Sequence, residues 1–275
     1  MFKLSSPHVH TQFCDGRNTA EEMALAALDR GFISLGFSSH AKSLYEASSL
    51  NDAREAAYIK EIGRLREKFA GRLRIWRGVE RDCLSYAQRE PFEYVIGSVH
   101  FLPCPGGVKL PVDAGKDIVR EGVLLYYAGD GIRFAKAYYT LLGNYIREYK
   151  PDIIGHFDLI SKNNQQGELY DPENSQYIKA ATEAMEEAIL GCRLLEVNTG
   201  AMARYGAPFP YPSLPLLEYW KALGGEVILS SDCHRAEWLD FGYPCAEEHI
   251  RRAGYKKAAI LGRQDSLFEW CDLRQ

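Results

Sequence analysis

The chain lacks a hydrophobic run of membrane-spanning length, and the residues before Pro7 lack the apolar core of a secretory signal. No segment approaches the roughly 18 apolar residues that a transmembrane helix needs. Blocks of lysine or arginine are also missing and the formal net charge is −4, so the basic surface of a duplex-binding protein is not expected. These absences disfavour membrane insertion and nucleic acid as the main partner, and they predict a cytoplasmic protein.

Cysteine pairs with metal-site spacing are missing as well. The seven cysteines are an odd number and form no Cys-x-x-Cys pair, which argues against both a disulfide framework and a structural zinc ribbon. We therefore expect seven reduced thiols. Cys14 and Cys233 lie beside candidate metal ligands, and we expect both to alternate away from the metals into the packing.

The chain does have the composition and the pattern of an α/β barrel. Hydrophobic residues make up 46 % and charged residues 25 % of the chain, which supports a full core. Short β-branched runs alternate with longer segments of helical period, and this alternation is typical of βα units around a parallel sheet. Because such barrels often reach about 250 residues as one unit, we predict a single domain over residues 1–275.

Seven strands are predicted, and their ends carry polar side chains. The predicted strands are 3–10, 33–40, 73–82, 93–100, 153–156, 193–198 and 226–234, and a short run over 258–261 ends the pattern. Helices are predicted over 19–30, 51–69, 117–127, 130–149, 172–190 and 243–253, with another after the proline-rich loop 208–215. Thr19 and Glu22 have the spacing of a capping box at the first helix. The irregular segment 101–131 is expected to shape a substrate pocket.

Six of the seven histidines fall at these strand ends. His8 and His10 are two residues apart, and side chains at this spacing in extended backbone leave the same face. The carboxyl ends of the strands of a parallel barrel surround one mouth. The side chains expected to converge there are His8, His10, Asp15, His40, Glu80, His100, His156, Asp232 and His234.

This set has more donors than one tetrahedral ion binds. It therefore predicts two or three divalent ions, which could be Zn, Mn or Fe. Glu80 can bridge two ions because a carboxylate has two oxygens. Clustered cations activate a bridging water and clamp phosphoryl oxygens, so hydrolysis of a small phosphate ester is the expected reaction. Asp82 and Asp158 either support neighbouring ligands or are simply solvated, and no function is assigned to His249.

Seven motifs carry a family resemblance that covers nearly the whole chain. They are His8-Val9-His10 with Asp15-Gly16, Ser39-His40, Gly78-Val79-Glu80-Arg81-Asp82, Ile96-Gly97-Ser98-Val99-His100, Gly155-His156-Phe157-Asp158-Leu159, Glu196-Val197-Asn198-Thr199-Gly200 and Ser231-Asp232-Cys233-His234. The chain resembles the polymerase and histidinol phosphatase (PHP) family, and within it the histidinol-phosphate phosphatases of the HisJ/HisK type.

The resemblance implies a distorted (βα)7 TIM-like barrel with a trinuclear site. His8, His10, Glu80 and Asp232 would hold the first metal; Glu80, His100 and His156 the second; and Asp15, His40 and His234 the third. The implied activity is hydrolysis of L-histidinol phosphate to L-histidinol and phosphate in histidine biosynthesis. A hydroxide shared by the first two metals would attack phosphorus, and Asp232 or His234 would act as the catalytic group that assists the leaving alkoxide.

Two positions depart from the family pattern. Ser6 stands where relatives have an aspartate, which leaves the partner of the first histidine open. Ser161-Lys162 stands where many relatives have a phosphate-binding arginine. Lys162 can replace that arginine as a point charge without bidentate geometry, and Arg204 is the other candidate for binding the substrate phosphate.

Two alternative functions remain open from the sequence. The same cluster could serve a phosphoesterase for another small monoester or for nucleotide ends, although the acidic balance disfavours long nucleic acids. A metal-binding module without catalysis is the third hypothesis, suggested by Ser6 and Ser161. The native metal and the oligomeric state are not predicted.

Overall fold

The computed structural model describes residues 4–273, which contain eleven β-strands. The first predicted strand begins at Lys3, which lies outside the described residues. The strands are β1 Ser5–Ser6, β2 Ser34–Phe37, β3 Arg74–Asp82, β4 Tyr94–Ser98, β5 Phe101–Pro103, β6 Lys109–Pro111, β7 Ile153–Ile154, β8 Leu194–Asn198, β9 Glu226–Ser230, β10 Lys257–Leu261 and β11 Phe268–Asp272.

Nine of these strands form one sheet in the order β1-β2-β3-β4-β7-β8-β9-β10-β11. Every neighbouring pair is parallel except β10 with β11. Strands β2, β4 and β8 are buried along their whole length, as expected when a parallel sheet is covered on both faces. The seven predicted strands are all present, whereas the antiparallel strand β11 and the hairpin of β5 and β6 were not predicted.

The sheet curls until its first strand meets its last parallel strands. The backbone N–H of His10 donates to Cys233 O at 3.0 Å, beside an isolated parallel bridge between Val9 and Cys233. Lower in the barrel, Ser34 Oγ donates to Leu261 O at 2.6 Å. Side chains and one bridge therefore close this side of the described barrel, which explains why the TIM-like barrel is distorted.

Five of the seven predicted strands were too long at their carboxyl ends, whereas β3 and β8 end at Asp82 and Asn198 as predicted. His8, His100 and His156 lie just beyond β1, β4 and β7 rather than inside them, whereas Glu80 lies within β3. Strand pairing ends before these histidines, and the loop backbone that follows can orient their side chains toward the barrel mouth. The polar ends of the strands thus become a ring of loops around one opening.

Within residues 4–273, eight α-helices connect the strands. They are α1 Ala20–Asp29, α2 Asp52–Lys68, α3 Lys116–Tyr127, α4 Gly131–Tyr149, α5 Ser175–Ala188, α6 Gly200–Tyr205, α7 Leu214–Ala222 and α8 Tyr243–Arg252. Short 3-10 helices cover Pro105–Gly107, Leu159–Asn163 and Ala236–Trp238. The capping box of Thr19 and Glu22 is confirmed at the start of α1.

Two helix predictions need correction. The predicted start of α5 at Pro172 is wrong, because the side chain of Asn174 caps the helix by accepting from Gln176 N at 2.8 Å. Pro172 and Glu173 instead lie in the preceding turn. Helix α6 was not predicted, since six residues are too few to show a helical period.

Candidate metal centre

The histidine pair after β1 lies at the centre of the barrel mouth. His8 and His10 are fully buried, and their ring centroids are 5.0 Å apart. Val9 between them is also fully buried and packs in the hydrophobic core. The predicted alternation is therefore confirmed, because both imidazoles face the mouth while the valine faces the packing.

The nine predicted ligands converge on this mouth. Three groups each bring their ligand atoms within 4.8 Å of one another. The groups are His10 with Asp15, His40 and His234; His8 with His10 and Asp232; and His40 with Glu80 and His100. His156 joins them through its Nε2, which lies 2.9 Å from Glu80 Oε1.

Glu80 lies between the imidazoles. Its Oε2 is 3.2 Å from His8 Nε2, 3.4 Å from His10 Nε2 and 3.1 Å from His40 Nδ1. Its Oε1 faces His156 and lies 3.4 Å from His100 Nε2. The two oxygens thus face different sets of nitrogen donors, which is the geometry a bridging carboxylate needs.

The donor set fits divalent metal ions. The Nε2 atoms of His8 and His10 are buried without a hydrogen-bond partner, and a buried polar atom is normally satisfied. Neutral imidazoles with carboxylates, without a set of thiolates, are ligands that suit Zn, Mn or Fe. The chain can therefore bind more than one divalent ion at this mouth.

Neighbouring groups of opposite charge shift the pKa values of the histidines and carboxylates in the cluster. Burial would lower the pKa of His8, but Glu196, Glu80 and Asp232 raise it to about 10. Burial would raise the pKa of Glu80, and the charges of His8, His100 and His40 hold it well below its usual range. Metal binding must displace the proton from His8, so the affinity for metal should increase with pH.

Asp232 and His234 lie in the segment just after β9, on either side of the bridge residue Cys233. Asp232 has a φ of 44°, a left-handed conformation that is uncommon for residues other than glycine and often found at functional sites. Burial would raise the pKa of Asp232, but Arg204 and His8 hold it well below its usual range. Burial, His10 and Arg204 lower the pKa of His234 to about 4. At neutral pH Asp232 is therefore a carboxylate and His234 a neutral imidazole.

Asp15 reaches the cluster from the loop before α1. Its carboxylate lies 3.0 Å from His234 Nε2 and 3.5 Å from His40 Nε2. A Cβ at Gly16 would stand 2.4 Å from the backbone nitrogen of Thr11, so only glycine fits this turn. The Asp15-Gly16 motif is thus a ligand followed by the residue that lets the loop close.

Glu196 is a buried carboxylate of the site that was not among the predicted site residues. It lies on β8, and its Oε1 is 2.7 Å from His8 Nδ1. Its Oε2 accepts from the backbone N–H of His156 at 2.9 Å. A charged residue in the middle of a fully buried strand was the available signal. Glu196 fixes the orientation of two predicted ligands.

Ser6 does not act as the partner of the His8 ring. Its hydroxyl donates to the His8 carbonyl at 3.2 Å and lies 3.0 Å from Ser231 Oγ. The contact between Glu196 and His8 Nδ1 supplies the carboxylate that was expected at position 6. The departure from the family pattern therefore leaves the first histidine fully supported.

Asp82 and Asp158 have different roles. Asp82 accepts from the His100 backbone N–H at 2.6 Å and lies 3.4 Å from His100 Nδ1, so it supports that predicted ligand. Asp158 is buried and accepts from Ser213 N at 2.9 Å. Burial raises the pKa of Asp158 to about 6. Its carboxylate is thus not solvated but holds the loop before α7.

Arg204 and Lys162, the predicted phosphate-binding residues, lie at different distances from the cluster. Arg204 on α6 donates to Asp232 Oδ2 at 2.7 Å, and its Nη1 is 3.0 Å from His234 Nδ1. Lys162 donates to the backbone carbonyl of Asp113, and its Nζ is 4.4 Å from the ring centroid of Tyr205. Arg204 is therefore in the cluster, whereas Lys162 stands at the rim.

The cysteine and His249 predictions have mixed outcomes. Cys233 is buried in the core as predicted. The prediction for Cys14 was wrong, because its Sγ lies 3.3 Å from His10 Nδ1. It occupies a turn instead of extended backbone, so strand alternation does not apply. All seven cysteines are free. His249 is buried in α8 and contacts Pro212 O at 2.9 Å, outside the cluster.

The sequence profile of the PHP domain matches residues 6–200, which is more than half of the chain. The chain belongs to the PHP family. The matched range includes seven of the nine predicted ligands, from His8 to His156. Asp232 and His234 lie beyond it, so their place in the site depends on the geometry just described.

Two curated relatives of this PHP protein match over most of their length. The "Probable histidinol-phosphatase" of Deinococcus radiodurans is 29 % identical over 276 residues, covering 96 % of this chain and 99 % of that protein. The "Histidinol-phosphatase" of Bacillus subtilis is 25 % identical over 259 residues, covering 86 % of this chain and 95 % of that protein.

Two solved structures show the same fold. A provisionally assigned histidinol phosphatase, HisK, from Listeria monocytogenes has a TM-score of 0.75 at 21 % identity, covering 88 % of this chain and 99 % of that chain. HisK from Lactococcus lactis, crystallised with Zn, L-histidinol and phosphate, has a TM-score of 0.65 at 20 % identity, covering 95 % of this chain and 97 % of that chain. These likenesses confirm the PHP-type distorted TIM barrel.

Helix length and composition also test the expectation about membranes. Within residues 4–273, none of the helices combines the length and the apolar character required to cross a bilayer. The longest, α4, carries charged residues along its length, among them Arg133, Lys136 and Arg147.

Proposed function

We propose that this protein is a metal-dependent phosphatase that hydrolyses L-histidinol phosphate to L-histidinol and phosphate, a step of histidine biosynthesis. The observation that carries the proposal is the convergence of nitrogen and oxygen donors from nine residues, Glu80 among them, at the barrel mouth. The two curated relatives named as histidinol-phosphatases match almost end to end. The related enzyme crystallised with Zn, L-histidinol and phosphate supports the same substrate.

We assign the ligands to three ions. His8, His10, Glu80 and Asp232 would hold the first; Glu80, His100 and His156 the second; and Asp15, His40 and His234 the third. When bound, such ions supply an activated water and offset charge on the phosphoryl group. The orphaned Nε2 atoms of His8 and His10 support this assignment.

The chain's own groups position the reaction. Glu196 contacts His8 Nδ1 and so directs Nε2 of the same ring toward the cluster. Arg204, beside Asp232 and His234, is placed to bind a phosphoryl oxygen. The rim position of Lys162 suits longer-range attraction of the substrate phosphate.

Proton transfer to the leaving alkoxide is assigned to Asp232 or His234. The pKa of Asp232 lies well below its usual range and that of His234 is lowered to about 4, so at neutral pH Asp232 is a carboxylate and His234 a neutral imidazole without the extra proton of an acid. The group that protonates the alkoxide must therefore first accept the proton of the attacking water. This order of transfer is consistent with both candidates.

The direct test is phosphate release from L-histidinol phosphate by the metal-loaded protein. His156→Ala should lower kcat/KM at least about 100-fold, because it removes a ligand that faces Glu80. His249→Gln is the matched control, since that histidine is buried outside the cluster. Equal rates in the wild type and His156→Ala would discard the ligand assignment.

A substrate panel separates this proposal from its alternatives. Other small phosphate monoesters, nucleotides and short oligonucleotides should be turned over more slowly than L-histidinol phosphate. Preference for a nucleotide or oligonucleotide would reassign the protein to another type of phosphoesterase. Stoichiometric metal with no hydrolysis of any ester would reduce it to a binding module.

We also infer a single folding unit and a cytoplasmic location. The sheet runs continuously in space from β1 to β11, so chemical denaturation should give one transition. Seven free cysteines suit a reducing compartment. Cell fractionation tests the location, and recovery from the periplasm or another oxidising compartment would contradict it.

A further inference from the structure

The proposed substrate carries a positive charge that the mouth must accommodate. In L-histidinol phosphate a single methylene group separates the ammonium-bearing carbon from the ester oxygen. The ammonium must therefore lie close to the phosphate site. Arg204 and Lys162 already bring positive charge to that region. A substrate ammonium there needs a carboxylate whose charge is not already matched by a histidine.

Most carboxylates at the mouth are already engaged by histidine. Each of the following has an oxygen within 3.5 Å of an imidazole nitrogen: Asp15, Glu46, Glu80, Asp82 and Asp232. Asp113 is different. Its carboxylate has a cation, Lys162 Nζ, at the longer distance of 3.9 Å, and its side chain is 37 % exposed.

The fold anchors Asp113 beside the cluster. Val112, which precedes it after β6, donates its backbone N–H to His100 O at 2.8 Å. The Asp113 carbonyl accepts from Lys162, and the next carbonyl, of Ala114, accepts from Asn163 Nδ2 at 2.9 Å. Contacts to backbone carbonyls therefore fix this loop against the 3-10 helix after β7, and the Asp113 carboxylate, which has Lys162 Nζ at 3.9 Å, stays accessible to solvent or ligand.

Asp113 also lies near the two residues that are candidates for binding the phosphate. Lys162 and Arg204 flank one ring, since Lys162 Nζ and Arg204 Cζ lie 4.4 Å and 5.7 Å from the Tyr205 centroid. The Asp113 carboxylate lies 3.9 Å from the same Lys162 Nζ, so it stands on the side of the mouth where the phosphate is expected.

We propose that Asp113 is a specificity-determining residue whose carboxylate binds the substrate ammonium while Arg204 and the metal centre take the phosphate. This inference rests on the proposed function. It explains how one mouth accommodates a zwitterionic ester, because each charge of the substrate meets a group of opposite charge. It also gives the hairpin of β5 and β6 a role, because that hairpin carries Asp113 to the rim.

The test compares Asp113→Asn with the wild type on two substrates. The first is L-histidinol phosphate, and the second is its deaminated analogue, 3-(imidazol-4-yl)propyl phosphate. The variant should raise KM for L-histidinol phosphate about tenfold, as expected for loss of a charge-assisted hydrogen bond at a partly exposed site, and change kcat little. Its kcat/KM for the analogue should stay within about twofold.

Product inhibition provides an independent readout. In Asp113→Asn the inhibition constant of L-histidinol should rise by a similar factor, whereas that of inorganic phosphate should not change. Asp117→Asn, an exposed carboxylate in the first turn of α3, is the matched control. It should affect neither substrate and neither product.

The outcomes separate the inference from the proposed function. If the wild type hydrolyses L-histidinol phosphate and Asp113→Asn has the same kcat and KM, the inference alone is overturned. Equal losses on both substrates overturn it too, because they indicate that Asp113 only supports the loop or contacts the imidazole. Wild type that hydrolyses other esters but not L-histidinol phosphate overturns the proposed function, and the inference with it.

Discussion

Glu196 orients the His8 ring so that its Nε2 faces the metal cluster. Besides contacting His8 Nδ1 and the His156 backbone, it accepts hydrogen bonds from the Ser230 hydroxyl and from Asn198 Nδ2. Four groups therefore surround one fully buried carboxylate. A charge with that many partners is costly to change, since any substitution leaves a buried donor unsatisfied.

Glu196→Gln should weaken metal binding by about 10–100-fold. The amide has one end that donates, so it cannot accept from His8, the His156 backbone and Ser230 together. Competition with a chromogenic chelator measures the affinity. Glu226→Gln, on an exposed residue at the start of β9, serves as control. Unchanged affinity in a folded Glu196→Gln protein would contradict this role.

His249 links stability to pH away from the metal centre. Burial lowers its pKa below the ordinary value of 6.5, the contact with Pro212 O raises it, and Arg252 lowers it. Because the folded pKa is lowered, its contribution to stability is complete above the unfolded pKa of about 6.5. That contribution is lost as the pH falls below this value, since the unfolded chain takes up a proton that the folded chain resists.

In His249→Gln, the free energy of unfolding should therefore fall less steeply with acid than in the wild type. Glutamine can keep the hydrogen bond to Pro212 O without titrating. Urea denaturation of both metal-loaded proteins at about pH 7.5 and about pH 5 measures the difference. Metal loss at low pH affects both proteins alike. Parallel pH profiles would show that His249 does not titrate in this range.

At the scale of elements, Tyr94 on β4 determines how closely β2 and β3 approach. Its ring is fully buried, and its hydroxyl donates to the Pro7 carbonyl just before His8. A Cβ at Gly78 would lie 2.1 Å from the ring, and one at Gly36 would lie 2.1 Å from the hydroxyl oxygen. Two glycines on neighbouring strands therefore make room for one tyrosine beneath the metal centre.

Gly78→Ala should lower the free energy of unfolding by about 1–3 kcal/mol, because the new methyl group overlaps a ring that cannot move within a packed barrel. Gly63→Ala in α2 is the opposite case, as no atom lies within 4 Å of its Cβ position. That change should stabilise by about 0.5–1 kcal/mol. Urea titrations measure both values, and a neutral Gly78→Ala would show that Tyr94 can shift.

At the scale of the whole molecule, the metal centre joins strands that are distant along the chain. The ligand atoms come from loops after β1, β2, β4, β7 and β9 and from β3 itself. A bound ion therefore ties both halves of the barrel together, and it does so only in the folded state. Binding free energy becomes folding free energy under these conditions.

Removing the metals should lower the melting temperature. Restoring an ion at about 100 times its Kd stabilises by about 2.7 kcal/mol, which corresponds to about 5 °C or more for a domain of this size. Thermal melts with a chelator and then with added Zn or Mn measure the shift. His156→Ala should show a smaller shift and His249→Gln the full one. A melting temperature insensitive to chelator would contradict the assigned centre.

The amino-acid sequence by itself determined the order of the parallel strands and the ring of donors. Each parallel strand needs a crossover, so short apolar runs separated by helices fix one barrel topology. A histidine or carboxylate just after such a run must then lie at the mouth. His40, His100 and His156 were predictable in this way although they are far apart in the sequence.

Only the tertiary structure decided which polar groups meet. Strand β8 is buried on both faces, so its pattern does not reveal that Glu196 turns toward His8. Cys14 and Asp113 lie in turns, where no period tells the direction of a side chain, and the short helix α6 leaves no pattern that places Arg204 beside Asp232. These contacts depend on loop closure and on side-chain packing across the barrel, which act between segments that the local sequence does not connect.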